Sequence, residues 1–388
     1  VKHSNEGDFQ LMRKWIVASQ TLFVLIGIVI TSVPAMGQHA QGMLFLSDGS
    51  RIPLTPENRL QYFGDPEKQQ KAVESVTFSG ITWNLDYQDD SGVGFNDSTL
   101  GAARKDTLEL ALAYVSDVLN EPGGVVDAVV RATTVNTVSL ATAGPSAYTS
   151  TSPGNPNNGA VFQHIMDGTT DPSAGVILAD PDMTIDVNFF QDFNLGEGLP
   201  ASNESDLLSV LIHEITHALG FLSVIVYDDD FCLRSPVRSQ GMGWFGDDPD
   251  DYTTFDRLVS TGNGNPFISV SPPLSFEGAD NFFTGGDNGV FFTGTNASAI
   301  FGSNPELYAP PTFVCGSSIS HWAEGVTAVM EHARTEGEIL RTYADFEIAA
   351  LIDLGYTNAA APDGDPMIAV SPTGIVDFGD IDVGDTTT

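Results

Sequence analysis

The sequence predicts an α+β fold in which a twisted mixed sheet packs against a buried helix and a less regular second half follows. Three observations predict it. Strand-like, helix-like and strand-like segments follow one another between residues 76 and 130. An apolar helical segment then covers residues 207–219. From residue 223 the chain becomes rich in Gly, Asn, Asp, Pro and Phe. Strand–helix–strand order favours an α/β or α+β half-domain.

The first three elements are predicted from their periodicity. Val76–Tyr87 alternates apolar and polar residues, which is typical of a strand. Thr107–Leu119 repeats apolar residues at helical spacing, and Pro122-Gly123-Gly124 breaks the pattern. Val125–Val130 is continuously apolar except for one aspartate, so we expect it to be a buried strand.

A loop and two further strands are predicted before the next helix. Residues 143–160 are dense in Gly, Pro, Ser and Asn, as loops are. Ala160–Ile165 and Met183–Phe189 are interpreted as strands. One of them is a candidate sheet edge, to which a peptide can add as an extra strand. His164 falls in the first and is interpreted as a histidine on the strand surface.

The run His213-Glu214-Ile215-Thr216-His217 holds the residues most indicative of chemistry. Residues four apart share a helix face, so His213 and His217 can bind one metal ion. Imidazole nitrogen suits zinc, and a catalytic zinc takes three protein ligands and leaves one position for water. Glu214 follows the first ligand, where it can act as general base toward that water. The run therefore predicts a zinc site whose third ligand lies elsewhere.

The residues around this run support a helix. Ser202, Asn203 and Ser205 are candidate N-caps. Apolar residues recur at three- and four-residue steps up to Leu219. Gly220 suits a helix C-terminus, where a left-handed residue turns the chain away. The alternative is a buried helix with two incidental histidines, because so short a pattern also occurs by chance.

The third ligand is expected at His321. An uninterrupted HExxHxxGxxH pattern would place it at position 223, which is Ser223. His321 and His332 are the two histidines downstream of the helix. Of these, His321 precedes Met330, which is a candidate for the methionine of a Met-turn. Carboxylate ligands are the alternative, although none of the candidates lies in an E-x-x-x-D pattern. These candidates are Glu336, Glu338 and Glu347.

These motifs resemble the leishmanolysin-like branch of the metzincins. In that branch an insertion separates HExxHxxG from the third histidine, and the methionine of a Met-turn follows. The resemblance lies in HEITHALGF, in SHW with His321, in Met330 and in the helix that ends with Asp353-Leu354-Gly355-Tyr356. It spans roughly residues 75–356 and departs from the family in the detail of the insertion, residues 223–320.

The resemblance implies a metzincin-like zinc endopeptidase domain over residues 74–360, acting on proteins or peptides. It implies His213, His217 and His321 as metal ligands, Glu214 as the catalytic base and Met330 as an apolar floor beneath the zinc. Two alternatives stay open: a non-catalytic zinc-containing surface or adhesion module, and a zinc hydrolase of a non-peptide substrate. Glu214 argues against the first, because a structural metal site does not need that carboxylate.

The N-terminal residues predict export. Arg13 and Lys14 precede an apolar core. Ala35-Met36-Gly37 has small residues at the two positions that a signal peptidase recognises. Residues 1–37 are therefore expected to be a signal peptide. The apolar run is short for a spanning helix, and no second candidate follows. We therefore expect a secreted or cell-surface protein without stable membrane insertion. Residues 38–73 are interpreted as an N-terminal arm or short pro-segment.

The charge balance excludes one class of partner. The chain has 51 acidic and 15 basic residues, a net charge of −36. Phosphate contacts need lysine and arginine, so nucleic-acid binding is not expected. Two acidic clusters, Asp228–Asp230 and Asp247–Asp251, do not match the EF-hand spacing. They are interpreted as a solvated acidic surface, with calcium binding as the alternative.

The two cysteines, Cys232 and Cys315, are the candidate disulfide. An even count in an exported protein favours a bridge, and two free buried thiols are the alternative. Residues 361–366 are predicted to be a linker. Residues 367–388 alternate like the first strands of a β-sandwich, and they resemble the start of an incomplete Ig-like, Hydin-type repeat.

Overall fold

The computed structural model describes residues 43–45, 51–53, 73–134, 136, 139–145, 158–167, 181–225, 252–269, 275, 277–278, 280–314 and 316–361. Several predictions lie outside these residues. They are the signal peptide, the Ig-like segment, both acidic clusters, Cys232, Cys315 and all of the linker but its first residue. In the predicted N-terminal arm, β1 (Met43–Phe45) pairs antiparallel with β2 (Arg51–Pro53).

The protein has an α+β fold built on a five-stranded mixed sheet. The strands follow the order β3-β4-β5-β7-β6. The three central strands run parallel, and the two edge strands are antiparallel to their neighbours. The strand bounds are β3 (Glu74–Phe78), β4 (Ile81–Tyr87), β5 (Gly124–Ala132), β6 (Ala141–Pro145) and β7 (Met183–Val187).

Six α-helices lie in the described part of the chain, and none of them is long and apolar enough to cross a membrane. Their bounds are α1 (Gly101–Leu119), α2 (Gly159–Asp167), α3 (Leu207–Ala218), α4 (Thr254–Arg257), α5 (Thr295–Phe301) and α6 (Asp345–Leu354). Two further small strand pairs are β8 (Phe193–Asn194) with β9 (Ser205–Asp206), and β10 (Val259–Thr261) with β11 (Val290–Phe292).

The predicted strand over Val76–Tyr87 is an antiparallel hairpin. Ser79 and Gly80 turn the chain with φ values of 44° and 90°. The indole nitrogen of Trp83 on β4 donates to Ser116 Oγ on α1 at 3.0 Å. This face of the sheet therefore packs against α1, and α1 packs against α3.

The predicted strand over Ala160–Ile165 is wrong, because these residues form α2. Ala160, Val161 and Ile165 are buried together on one side of the helix. So short an apolar run does not distinguish a strand from a buried helix by periodicity. His164 consequently lies on a helix, with Nδ1 2.8 Å from Asp182 Oδ2.

The sheet edge also differs from the prediction. Met183–Val187 is an inner strand, between β5 and β6. The edge strand on that side of the sheet is β6, most of which falls within the predicted loop from residue 143. Its sequence, Ala-Thr-Ala-Gly-Pro, has low strand propensity, and proline is tolerated at a sheet edge. Strand β6 packs against α3, so this edge borders the helix that carries the two histidines.

Candidate metal centre

Helix α3 is buried over all twelve of its residues. Its N-cap is Asp206, whose carboxylate accepts the N–H of Ser209 at 3.0 Å. The predicted caps Ser202, Asn203 and Ser205 are wrong. Ser205 and Asp206 form β9 instead, so the chain stays extended up to the first helical residue. The helix therefore begins at Leu207, later than the predicted caps indicate.

Gly220 turns the chain away from the helix, as its position predicts. Its φ is 105°, and its N–H donates to His217 O at 3.0 Å. Only glycine adopts this backbone conformation without strain. The turn brings Phe221 O to 2.8 Å from His217 Nδ1, so the helix end also orients the second histidine.

Aromatic packing brings His321 to the helix. The rings of Phe221, just beyond α3, and Trp322, just beyond His321, lie 4.7 Å apart between centroids. Three further rings join them: Phe255, Phe292 and Phe346. The backbone around His321 is held on both sides. Tyr308 N–H donates to His321 O at 2.9 Å, and Trp322 N–H donates to Met330 O at 2.9 Å.

The three imidazoles meet at their Nε2 atoms. His321 Nε2 lies 3.1 Å from His213 Nε2 and 3.1 Å from His217 Nε2. The three residues are 9% (His213), 6% (His217) and 5% (His321) exposed. One ligand atom from each residue lies within 4.8 Å of the others, so this buried group can hold a metal ion.

The outer nitrogens show which ring atoms carry protons. His213 Nδ1 lies 2.7 Å from Val329 O, His217 Nδ1 lies 2.8 Å from Phe221 O, and His321 Nδ1 lies 2.8 Å from Ser317 O. A carbonyl oxygen only accepts, so each Nδ1 carries the proton and donates it.

Because each neutral ring has its proton on Nδ1, the three Nε2 atoms have none. Their lone pairs therefore face one another without a hydrogen bond between them, and they repel. A metal ion relieves this repulsion. Tetrahedral zinc with Zn–N bonds of about 2.0–2.1 Å spaces its nitrogens by about 3.3 Å, close to the observed separations.

Burial keeps the histidines neutral. It lowers the pKa of His213 and His321 well below the usual range and that of His217 to about 4. Neutral imidazole is the form that binds a metal. The group therefore has both the arrangement and the protonation state of a metal site at neutral pH.

Glu214 lies between this group and the sheet edge. Its Oε2 accepts the N–H of Ala143, on β6, at 2.8 Å. Burial raises the pKa of Glu214 to about 8, although the Ala143 N–H and the charge of Arg334 act in the opposite direction. The carboxylate is thus more basic than usual and is fixed beside the first histidine.

Glu347 organises the segments on the far side of the site. Its side chain is 3% exposed, and its carboxylate accepts the N–H groups of Val329 and Met330, each at 2.9 Å. It also accepts from Trp322 Nε1 at 3.0 Å and from Ala344 N–H at 3.0 Å. Met330 is itself buried. One carboxylate therefore joins the residue after His321, the Met330 turn and the start of α6.

The other predicted ligands lie outside the histidine group. Glu336 and Glu338 are exposed, and Glu347 is occupied by the four hydrogen bonds above. His332 stacks on Tyr308 with ring centroids 3.6 Å apart. Among the described residues, the three histidines are therefore the group that remains for a metal.

Sequence reasoning missed three contributors to the site: Ala143, Arg334 and the organising role of Glu347. The identity of Ala143 gives no indication of its role, because it donates its backbone N–H to Glu214. Arg334 has a weak sequence signal, because it is a basic residue shortly after Met330 in an acidic chain. The sequence indicates Glu347 only as a possible ligand, because nothing local shows that backbone N–H groups are among its partners.

No protein-family model matches the chain, and no curated protein and no solved structure matches it.

Proposed function

We propose that the protein is a secreted zinc metalloendopeptidase related to the leishmanolysin-like metzincins. One observation carries the proposal: three neutral imidazoles converge at Nε2 beside a buried, unusually basic carboxylate, Glu214. The signal-peptide pattern of residues 1–37 supports export.

His213, His217 and His321 would hold the metal through Nε2, while Val329, Phe221 and Ser317 accept from the opposite nitrogens. Such outer hydrogen bonds fix the tautomer and the ring orientation of metal-binding histidines. Zinc bound there supplies Lewis acidity, which polarises a carbonyl and makes water a nucleophile near neutral pH.

Glu214 performs the proton transfers. As a carboxylate it accepts the proton of the attacking water, and as a carboxylic acid it returns that proton to the leaving amine. The Ala143 N–H and the charge of Arg334 favour the carboxylate form, which is the form that accepts the proton. A site that only binds metal does not need a buried carboxylate next to its first ligand, so Glu214 supports a hydrolase.

The edge strand supports a peptide substrate. Strand β6 is the last strand of its sheet, and Ala143 directs its N–H to Glu214 instead of to a neighbouring strand. An extended peptide can pair with such an edge through backbone hydrogen bonds. A peptide aligned in this way would have one of its internal peptide bonds close to Glu214. Such binding does not involve the ends of the peptide, as an endopeptidase requires.

The test is casein cleavage by the purified mature chain, with and without a chelator, followed by zinc replacement. We expect zinc-dependent cleavage, and a loss of about 10²–10⁴-fold in Glu214→Gln, because general-base catalysis contributes that factor. Zinc content should stay at the wild-type level in this variant.

Glu121→Gln is the matched control. Glu121 is also a buried carboxylate, but it accepts from Asn358, outside the histidine group. We expect this variant to cleave casein like the wild type. Near-wild-type turnover in Glu214→Gln would refute the proposed mechanism.

A further inference from the structure

Ile319, two residues before His321, has a backbone conformation that is rare for its residue type. Its φ is 72°, in the left-handed region. A side chain branched at Cβ fits that region poorly, so a β-branched residue found there is an outlier. The other non-glycine residues of the described chain with positive φ, none of them branched at Cβ, are Ser79, Asn120, Asp287 and Asn288. Strained residues persist where the surrounding structure holds them, and they concentrate at functional sites.

The contacts around Ile319 hold it in this conformation. Its side chain is 1% exposed and belongs to the hydrophobic core. Its N–H donates to Tyr308 O at 2.8 Å, and Tyr308 N–H donates in return to His321 O at 2.9 Å. Between these two residues, Ser320 Oγ accepts the N–H of Ser223 at 3.1 Å. Glycine could form the same backbone hydrogen bonds and adopt the same φ without strain, so what isoleucine adds is the buried side chain.

The conformation of Ile319 determines how His321 faces its neighbours. Ser317 O lies 2.8 Å from His321 Nδ1, so the acceptor and the ring come from opposite sides of the left-handed residue. The φ of Ile319 sets the direction of the chain after it relative to the chain before it, and an ordinary φ would move the ring away from this carbonyl. The hydrogen bond keeps the proton on Nδ1 and leaves Nε2 free to bind a metal.

We infer that Ile319 is a positioning residue for His321. Its buried side chain keeps the chain in the left-handed conformation, which holds the His321 ring against Ser317 O with Nε2 directed at the other two histidines. This inference rests on the metal site of the proposed function. The alternative is that the backbone hydrogen bonds alone hold the turn, in which case the side chain of Ile319 contributes only strain.

A series of substitutions at position 319 separates these two cases, because side-chain size and backbone strain decrease together from isoleucine to valine, alanine and glycine. If the side chain positions His321, zinc affinity decreases along the series. Ile319→Val should bind zinc nearly as tightly as the wild type. Ile319→Gly should bind it about 10- to 100-fold more weakly, the usual effect of disturbing a group that orients a metal ligand. Ile319→Ala should lie between them, and it serves if the glycine variant does not fold.

Ile268→Gly is the matched control. Ile268 is also 1% exposed, but its φ is not positive and it lies outside the histidine group. Both glycine variants should lose stability in urea, whereas Ile268→Gly should bind zinc like the wild type. The absorption spectrum of the cobalt-substituted protein reports the ligand geometry, and we expect it to change in Ile319→Gly alone. A zinc affinity that stays constant or increases along the series, or that falls equally in Ile268→Gly, would overturn the inference.

NMR of the metal-free protein separates this inference from the proposed function. The His321 Nδ1 proton donated to Ser317 O should exchange slowly with solvent in the wild type and faster in Ile319→Gly. If the wild type binds no zinc, the proposed function fails, and the positioning role stands or fails with this change in exchange. If zinc binds and casein is cleaved, but zinc affinity does not decrease along the series, the proposed function stands and the positioning role fails.

Discussion

The indole nitrogen of Trp322 donates a hydrogen bond of 3.0 Å to the buried carboxylate of Glu347. Trp322 directly follows His321 in the chain. The same carboxylate accepts from Val329 and Met330, whose turn supplies the carbonyl that orients His213. Glu347 therefore connects the segments that position two of the three histidines without contacting either ring.

We expect Glu347→Gln to weaken zinc binding by about 10- to 100-fold, the usual effect of disturbing the groups that orient metal ligands. Glutamine keeps one acceptor oxygen but turns an NH2 group toward backbone donors, so N–H groups of the Met330 turn lose their partner. Zinc affinity is measured by competition with a chelator, and Trp322 fluorescence reports the local change.

Glu338→Gln is the control for this variant, because Glu338 is exposed and accepts from Thr335 within its own turn at 3.0 Å. Its zinc affinity should equal that of the wild type. An unchanged affinity in Glu347→Gln would show that the turn holds the site without this carboxylate.

The two downstream histidines give a direct test of the third ligand. We expect His321→Ala to weaken zinc binding by more than about 100-fold, because loss of a ligand should exceed the cost of losing an outer partner. His332→Ala should bind one zinc per chain like the wild type, since His332 stacks on Tyr308 outside the group. Metal analysis after dialysis measures both, and equal zinc contents would remove His321 from the site.

The N-terminus of α3 depends on a buried ion pair. Arg341 Nε donates to Asp206 Oδ2 at 2.9 Å, and Arg341 also donates to the carbonyls of Glu197 and Gly198, each at 2.6 Å. Both members of the ion pair are buried. We expect Arg341→Gln to lower the free energy of unfolding by about 3–5 kcal/mol, because it leaves the Asp206 charge buried without its partner. Urea unfolding measures this change.

Asp206→Asn should restore part of that loss when it is added to Arg341→Gln, because it removes the uncompensated charge. The double variant should therefore be less destabilised than the sum of the two single variants. Strict additivity would show that the two side chains do not act as a pair.

Asp256 gives the stability a dependence on pH. Burial raises the pKa of its carboxyl from 3.8 to about 6, although Thr253 N–H and Ser223 Oγ donate to it at 2.9 and 2.7 Å. Below pH about 4 both the folded and the unfolded chain hold the proton. Between pH about 4 and 6 the unfolded chain releases it first, so this carboxyl lowers the free energy of unfolding as pH rises, by about 3 kcal/mol in all.

Asp256→Asn has no proton to release. We therefore expect the unfolding free energy of the wild type minus that of Asp256→Asn to fall by about 3 kcal/mol from pH 3 to pH 7, with most of the change between about pH 4 and 6. Urea unfolding with chelator present at every pH excludes any contribution from metal release. A difference that stays constant with pH would show that the carboxyl keeps its ordinary pKa.

Short-range rules were enough to predict several elements from the sequence. The spacing of His213 and His217 predicts that both lie on one face of α3, because a helix relates residues four apart. The glycine at position 220 predicts how this helix ends. Periodicity also predicted the core of α1 and the positions of β4 and β5. It failed at α2, where a short apolar run fits a strand equally well.

Which distant groups contact these local elements depends on the tertiary fold. His321 is 108 residues from His213, and its Nε2 is brought to 3.1 Å by aromatic packing and backbone pairing that no local pattern contains. Ala143 donates its backbone N–H to Glu214, and Glu347 accepts backbone N–H groups. Almost every residue has a backbone N–H group, so the sequence does not show which ones will take part. The chain therefore predicts the chemistry carried by one helix, whereas the completed site depends on long-range contacts that form only when the two halves pack together.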